Sequence, residues 1–322
     1  MMNTTPEALI SEAQRILLIC HVNPDGDAIG SLLGMGWALR KMGKQCVLAC
    51  SDPVPPTYHY LPGSETVTSE PQGSFDLVIT LDASDLRRVG PVYTSLDLSG
   101  VPIINIDHHI TNVGFGTVNL VDPQATSTAE VVLALLRRLG VELDQTIATC
   151  LLNGIVTDTR GFSTPNTTRR AMEAAITLMD AGAPLAKVTD QVFNRRPLAE
   201  VRLWAEALRT VRLEGPIIWA EITPAMRLAC GFTDSGDAGL ANFLITANEA
   251  DIAVVFNQQA DGKIDVGMRA VPGVDVSAVA LEFGGGGHPQ AAGFSINGSL
   301  PEVRERVIAA LKQAWLEQND SS

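Results

Sequence analysis

The chain alternates short, continuously apolar runs with longer segments in which apolar residues recur every three or four positions. The first pattern is typical of buried strands and the second of amphipathic helices. In the first half, the strand pattern occurs at 15–20, 45–49, 76–81 and 102–106, and the helix pattern at 28–42, 126–139, 145–156 and 167–180. Continuously apolar strands that alternate with helices predict an α/β fold, a parallel sheet with helices on both faces.

The pattern breaks around residues 183–200, where Pro184 and Pro197 interrupt it. We therefore predict a first domain, a linker and a second domain over 1–185, 186–200 and 201–322. Beyond the break, helix patterns alternate with strand patterns in a different order: helices at 198–213, 239–247 and 301–317, and strands at 216–221, 251–257, 264–269 and 293–296. This arrangement predicts a smaller mixed α/β domain.

The charge of the chain limits the ligands that it binds. Of its 322 residues, 46% are hydrophobic and 18% charged, which is typical of a globular protein, and the formal net charge is −13. Residues 1–185 carry 11 Lys and Arg against 19 Asp and Glu, and residues 186–322 carry 12 against 17. Neither half has the broad basic surface of a protein that binds long duplex nucleic acid. A nucleic-acid substrate is therefore predicted to be short and to be held by a few cations.

The cysteines and the N-terminus favour a cytoplasmic protein. The chain has five Cys, an odd number with no CxxC pair, which argues against a disulfide framework or a zinc ribbon. The first seven residues lack the basic and apolar segments of a signal peptide. No apolar run approaches the roughly 20 residues that span a membrane. We expect a cytoplasmic protein with reduced thiols and no membrane partner.

Acidic and imidazole side chains follow the predicted strands. Because the carboxyl ends of parallel strands meet at one edge of the sheet, these side chains are expected to lie together. Four of the five His of the chain belong to this set or to a later glycine-rich motif. The residues at the sheet edge are His21, Asp25, Asp27, Asp82, Asp107, His108 and His109, with Asp158 at the end of a predicted helix.

Carboxylates mixed with imidazoles are the donors that two neighbouring divalent cations need, and Asp82 is placed to be shared by both cations. Asp107 is predicted to accept a hydrogen bond from the ring N–H of a histidine and so to fix the tautomer of that ring. The alternatives are structural: Asp27 as a helix cap with Asp25 in a turn, Asp85 in place of Asp82, and an ion pair of Asp158 with Arg160. The whole set predicts hydrolysis of a phosphate ester.

A second motif lies far downstream, at Gly284–Gly287 and His288. Backbone N–H groups of Gly285, Gly286 and Gly287 can converge on a phosphate, with His288 adding charge, and the run is predicted to lead towards a short helix. Arg269, at the end of a predicted strand, can contact a phosphate through two N–H groups. This motif is predicted to bind substrate.

The order of these motifs resembles that of the DHH phosphoesterase superfamily, which is named for Asp-His-His. The sequence GGGGHPQAAGF at 284–294 resembles the signature of the DHH-associated C-terminal domain. The most similar branch is the stand-alone bacterial oligoribonuclease (nanoRNase) and 3′-phosphoadenosine-5′-phosphate (pAp) phosphatase type. The resemblance extends from about Arg15 to Ile296.

The resemblance implies two Mn²⁺ ions per active site, in a cleft between the two domains, with Mg²⁺ or Co²⁺ as alternatives. One ion would be held by His21, Asp25 and Asp82, and the other by Asp27, Asp82, His108 and Asp158. His109 would face the substrate phosphate, so His109, Asp82 and Asp107 are the predicted catalytic residues. The family usually has Arg-Ser where this chain has Arg269-Ala270, which leaves one hydroxyl contact to substrate in question.

The predicted activity is therefore that of a two-metal phosphoesterase. Its expected substrates are short oligoribonucleotides, cleaved to 5′-mononucleotides, and pAp, converted to AMP. A cyclic or linear dinucleotide phosphodiesterase is the main alternative. An inorganic pyrophosphatase or exopolyphosphatase and a non-catalytic nucleotide-binding protein are the others. A homodimer is implied by the resemblance alone.

Overall fold

The computed structural model describes residues 5–319, so part of the segment examined for a signal peptide lies outside it. The described chain forms two compact units, one up to Arg195 and one from Arg196 onward. The interval predicted as a linker contains the end of a short helix, a π-helical turn at Asp190–Asn194 and the start of the next helix.

The first unit is built on a sheet of five parallel strands in the order β2-β1-β3-β4-β5. Its elements in chain order are α1 (Pro6–Glu12), β1 (Arg15–Cys20), α2 (Gly26–Lys41), β2 (Gln45–Ala49), β3 (Leu77–Leu81), α3 (Pro91–Thr94), β4 (Ile103–Asp107), β5 (Val118–Val121), α4 (Thr128–Arg138), α5 (Gln145–Asp158), α6 (Arg169–Asp180) and α7 (Leu185–Thr189). The predicted parallel α/β fold is confirmed. The pattern missed α1, α3, β5 and α7, which are short or only partly buried.

The two faces of this sheet are covered unequally. Side chains of α2, α4 and α5 form the larger core against one face. The other face, which includes Leu17, Ile19 and Val78, packs under the short helix α3 and neighbouring loops. The long helices therefore lie on one side, and two of them carry functional side chains at the ends that approach the sheet edge.

Helices α2 and α5 pack unusually closely because glycines face each other. A Cβ on Gly30 would lie 2.5 Å from the carbonyl oxygen of Cys150 and 2.9 Å from the backbone nitrogen of Gly154. On Gly34 a Cβ would instead meet the side chain of Leu151, at 2.6 Å from Cδ2. The α5 backbone can therefore approach α2 closely enough to bring Asp158 to the site.

We expect Gly30→Ala to lower the free energy of unfolding by about 1–3 kcal/mol or more, because its methyl group meets backbone that cannot move away. Gly34→Ala is the matched control and should cost less, since the end of a leucine side chain can rotate. Urea denaturation of the two variants measures the difference. Equal losses would contradict this account of the helix contact.

The second unit is built on a six-stranded mixed sheet in the order β10-β11-β9-β8-β7-β6. Only β7 and β8 pair in parallel among these strands. Its elements are α8 (Leu198–Leu208), β6 (Arg212–Glu214), β7 (Ile217–Ile222), α9 (Pro224–Cys230), α10 (Leu240–Leu244), β8 (Ile252–Gln258), β9 (Lys263–Ala270), α11 (Ser277–Glu282), β10 (Gly286–His288), β11 (Ala291–Asn297) and α12 (Leu300–Asn319). The predicted mixed α/β architecture is confirmed.

Two local predictions in this unit were wrong. The helix expected over 198–213 ends at Leu208, and the residues that follow form β6. The glycine run does not lead into a helix: it follows α11 and enters β10, which pairs with β11. Gly284, at φ +82°, ends α11, and the N–H groups of Gly284 and Gly285 donate to the carbonyl oxygens of Leu281 and Ala280. The pattern also missed α9 and α11.

Among the described residues, no helix combines the length and the apolar character needed to cross a membrane. All five cysteines are free thiols.

Candidate active site

The predicted residues of the first unit come from five places that the fold brings together. His21 follows β1, Asp82 follows β3, and Asp107 ends β4 with His108 and His109 directly after it. The turn into α2 supplies Asp25 and Asp27, and Asp158 is the last residue of α5. Asp82 has φ +60°, a left-handed conformation that is uncommon outside glycine, and its N–H donates to the carbonyl oxygen of Ile106 at 3.0 Å. Such strain is often found at functional sites.

His21, Asp25 and Asp82 form one group, in which the ligand atoms that they offer lie within 4.8 Å of one another. Nε2 of His21 lies 3.4 Å from Oδ2 of Asp82 and 3.9 Å from Oδ1 of Asp25. Nδ1–H of His21 donates to the carbonyl oxygen of Val22 at 2.7 Å, because a carbonyl can only accept. That bond assigns Nε2 as the nitrogen available to a cation.

Asp27, His108 and Asp158 form a second group within the same limit of 4.8 Å. Nε2 of His108 lies 3.2 Å from Oδ2 of Asp158 and 3.7 Å from Oδ1 of Asp82. Asp82 therefore has Oδ2 beside His21 of one group and Oδ1 beside His108 of the other. This is the arrangement required of a carboxylate shared by two cations.

His109 is held differently from His108. Its Nδ1–H donates to Oδ1 of Asp107 at 2.7 Å, and its side chain is 36% exposed, so Nε2 is the ring nitrogen that Asp107 does not engage. Asp107 itself is fully buried and also accepts from the backbone N–H groups of His108 and His109 and from Nδ2 of Asn112. These bonds fix the carboxylate of Asp107, which in turn fixes the His109 ring.

Asp25, and not Asp27, caps helix α2. Oδ1 of Asp25 accepts from the backbone N–H groups of Asp27 and Ala28, each at 3.0 Å. Asp27 is fully buried and lies against the start of α4, where it accepts from the backbone N–H groups of Thr128 and Ala129 at 2.5 and 3.0 Å. The positive end of the helix dipole favours a carboxylate there.

In the second unit, Arg269 and His288 lie on the same face of the sheet. Arg269 of β9 and His288 of β10 are both register partners of Ala291 of β11, which places them two strands apart, about 10 Å. The Arg269 guanidinium donates to Oδ1 of Asn242 at 2.7 Å and borders an open cavity of about 460 Å³. Gly286 and Gly287 belong to the edge strand β10, where some backbone N–H groups have no strand partner.

Comparisons with known proteins identify the family of the chain. The model of the DHH family, N-terminal domain, matches residues 15–155, and that of the DHHA1 domain matches residues 231–316. The bifunctional oligoribonuclease and PAP phosphatase NrnA of Thermus thermophilus is 36% identical over 97% of this chain and 94% of the relative. The chain belongs to the DHH family.

Two further similarities concern a relative and a solved structure. The cyclic-di-AMP phosphodiesterase PdeA of Listeria monocytogenes is 25% identical over 96% of this chain and 49% of that relative. The crystal structure of an exopolyphosphatase-related protein from Bacteroides fragilis superposes with a TM-score of 0.89, at 23% identity, over 97% of this chain and 96% of that one. The latter shows that the fold is shared along the whole chain.

The pKa values of the histidines and carboxylates indicate whether the DHH site suits cations. Burial lowers the pKa of His21, but the hydrogen bond and charge of Asp82 outweigh it and raise the pKa to about 9. Burial also lowers the pKa of His108, but the hydrogen bond to Asp158 and the charge of Asp27 outweigh it and raise the pKa to about 10. Burial raises the pKa of Asp158 to about 6, and burial with the charges of Asp158 and Asp82 raises that of Asp27. Protons thus compensate an excess of carboxylate charge, which fits a site for divalent cations.

We expect Mn²⁺ binding to release about two protons per chain at pH 7, because His21 and His108 must lose a proton to coordinate. Calorimetric titration in buffers of different ionisation enthalpy measures this number from the slope of the observed enthalpy. Affinity should fall as the pH falls below about 10, where a proton competes with the cation first at His108 and then, below about 9, at His21. A slope near zero would contradict the assignment.

One residue of the DHH site was missed by the sequence analysis. Thr128 is fully buried at the start of α4, and its Oγ1–H donates to Oδ1 of Asp82 at 2.8 Å. The signal available was only the helix start, where Ser127 caps α4 by accepting from the backbone N–H of Glu130. The capping by Ser127 marks the start of the helix. It does not indicate that the hydroxyl of the next residue, Thr128, contacts the distant Asp82.

Proposed function

We propose that this chain is a two-metal phosphoesterase that cleaves short oligoribonucleotides to 5′-mononucleotides and converts pAp to AMP. The observation that carries the proposal is the position of Asp82, with one oxygen beside His21 and the other beside His108. The T. thermophilus relative, similar over nearly the full length of both chains, is named for both activities.

Two cations would be held by the groups described above: one by His21, Asp25 and Asp82, the other by Asp27, Asp82, His108 and Asp158. Bound there, divalent cations supply Lewis-acid stabilisation of the phosphoryl charge and activation of water. Mixed imidazole and carboxylate donors suit Mn²⁺, with Mg²⁺ or Co²⁺ as alternatives.

The protein's own contribution to the reaction centres on His109 and Asp107. With Nδ1 held by Asp107, the ring presents Nε2, which donates to a phosphoryl oxygen or protonates the leaving oxygen. The Asp107 carboxylate favours the protonated ring, since its hydrogen bond raises the pKa of His109. The oriented imidazolium thus lies ready to stabilise the negative charge that develops during phosphate transfer.

Substrate binding is proposed for Arg269, Gly286, Gly287 and His288 of the second unit, whereas the N–H of Gly285 already donates to the carbonyl oxygen of Ala280. A guanidinium and an imidazole on one sheet face suit the phosphates of a short substrate, whereas the net charge of −13 disfavours a long one. The similarity to PdeA, which is named a cyclic-di-AMP phosphodiesterase, supports a cyclic dinucleotide as the second candidate substrate. The homodimer and the cytoplasmic location stay predictions.

A panel of substrates tests the proposal. The protein is incubated with Mn²⁺ and 5′-pApA, a five-mer RNA, pAp, cyclic di-AMP, pyrophosphate or a long single strand, and kcat/KM is compared. We expect the highest values for pApA, the five-mer and pAp. Preference for pyrophosphate or the long strand would refute the proposed function, and preference for cyclic di-AMP would favour the second candidate.

We expect His288→Ala to raise KM for these substrates by about tenfold or more while Mn²⁺ affinity stays unchanged, because a charged hydrogen bond to phosphate is lost. Steady-state kinetics and calorimetry give the two quantities separately. Unchanged kinetics on every substrate would remove this residue from the proposed site.

A further inference from the structure

Two carboxylates of the proposed metal centre, Asp27 and Asp82, both accept hydrogen bonds from one residue at the start of α4. The backbone N–H of Thr128 donates to Oδ2 of Asp27 at 2.5 Å, and its Oγ1–H donates to Oδ1 of Asp82 at 2.8 Å. Asp27 and Asp82 come from different elements, the first turn of α2 and the end of β3. Thr128 therefore sets the position of one carboxylate relative to the other.

All three residues are buried, so these hydrogen bonds are shielded from water. Asp27 and Thr128 are fully buried and Asp82 is 2% exposed, so water does not replace a lost donor easily. A threonine hydroxyl has one hydrogen, and at this site Asp82 accepts it. The bond occupies one lone pair of Oδ1 and leaves the others, with those of Oδ2, directed towards the two groups of ligands.

We propose that Thr128 is the positioning residue of the metal centre, and that its hydroxyl orients Asp82 so that one carboxylate serves both cations. Partners that orient a metal ligand through a hydrogen bond commonly contribute 10- to 100-fold to metal affinity. The effect should reach both cations, because Asp82 belongs to both groups of ligands. This inference rests on the proposed metal centre and adds a residue outside the ligand set.

Thr126 provides a matched control on the same segment. It is 1% exposed, and its Oγ1–H donates to Oε2 of Glu130 at 3.0 Å. Glu130 in turn pairs with Arg170 and not with the ligand groups. Thr126→Val therefore removes a buried threonine hydroxyl next to α4 without removing a hydrogen bond to Asp82.

The test compares Thr128→Val, Thr128→Ser and Thr126→Val in the full chain, by calorimetric titration with Mn²⁺ and by thermal unfolding. We expect Thr128→Val to lower Mn²⁺ affinity by about 10- to 100-fold. Thr128→Ser, which keeps the hydroxyl, should bind within a few-fold of the parent protein. In Thr126→Val we expect unchanged Mn²⁺ affinity, even if its melting temperature falls.

Parental Mn²⁺ affinity in Thr128→Val would overturn the inference, as would an equal loss of affinity in Thr126→Val. If Thr128→Val does not fold, Thr128→Ala takes its place: a loss of affinity of about tenfold or more, with Thr128→Ser close to the parent, supports the role of the hydroxyl, and parental affinity overturns it. Failure of the parent protein to bind Mn²⁺ would instead refute the proposed metal centre, so the two failures are distinguishable.

Discussion

Asp82→Asn is expected to lower kcat/KM by roughly a thousandfold or more, because it removes a carboxylate that both groups of ligands use. The substitution keeps the shape of the side chain but removes its charge and replaces one oxygen by an amide nitrogen that cannot coordinate a cation. The stoichiometry of Mn²⁺ binding should fall below two per chain. Hydrolysis of pApA and calorimetric titration measure the two effects, with circular dichroism as the check on folding.

Asp85→Asn is the matched control for this prediction. Asp85 lies three residues further along the same segment, but it caps a short helical turn and pairs with Arg87, at 2.9 Å between Oδ2 and Nε. The hydrogen bond from Arg87 lowers the pKa of Asp85 to about 2, as expected of a surface ion pair. We expect parental activity in Asp85→Asn. Substantial Mn²⁺-dependent activity in Asp82→Asn would rule out the two-metal assignment.

His109→Ala is expected to lower kcat by about 10²- to 10⁴-fold, the usual contribution of a positioned acid or base. Mn²⁺ affinity should change little, since Nδ1 of His109 is held by Asp107 and Nε2 is left for substrate. The adjacent His108→Ala is the contrasting variant, in which Mn²⁺ affinity itself is expected to fall. Single-turnover kinetics at saturating Mn²⁺, together with titrations, separate the two residues.

Substitution of Asp107 tests the role of His109 without removing the imidazole ring. Asp107→Asn keeps the shape but removes the charge that favours the protonated His109 ring, so kcat should fall while Mn²⁺ affinity is retained. A variant of His109 or Asp107 that loses Mn²⁺ affinity in proportion to activity would show that these residues act as ligands. The division of roles within Asp-His-His would then be wrong.

The strands that position the site were accessible from the sequence because each is short, apolar and followed at once by a polar side chain. The bounds of β1 and β2 were predicted to the residue, and β3 and β4 to within a residue. The parallel arrangement followed from the helices between them. The site at their carboxyl ends then follows from topology, since parallel strands all end at one edge.

The glycine-rich motif shows where such inference fails. Its four glycines suggested a loop that leads into a helix, but Gly284 ends α11 and a Cβ on Gly285 would lie 2.2 Å from the carbonyl oxygen of Gly293. Glycine is required there by a helix terminus and by the close approach of a strand. A helix terminus, a closely approaching strand and a bound phosphate all favour glycine, because each requires the absence of a side chain. Composition alone therefore cannot tell which of the three explains a glycine.

The sequence by itself determined the two α/β parts, the order of the strands along the chain and the types of side chain at the sheet edge. Only the tertiary structure decided how those side chains are divided. It placed the oxygens of Asp82 beside different histidines, turned His109 towards Asp107, and brought Thr128 to Asp27 across 101 positions of sequence. Periodicity reports local burial, whereas contacts between distant residues arise from packing and leave no local pattern.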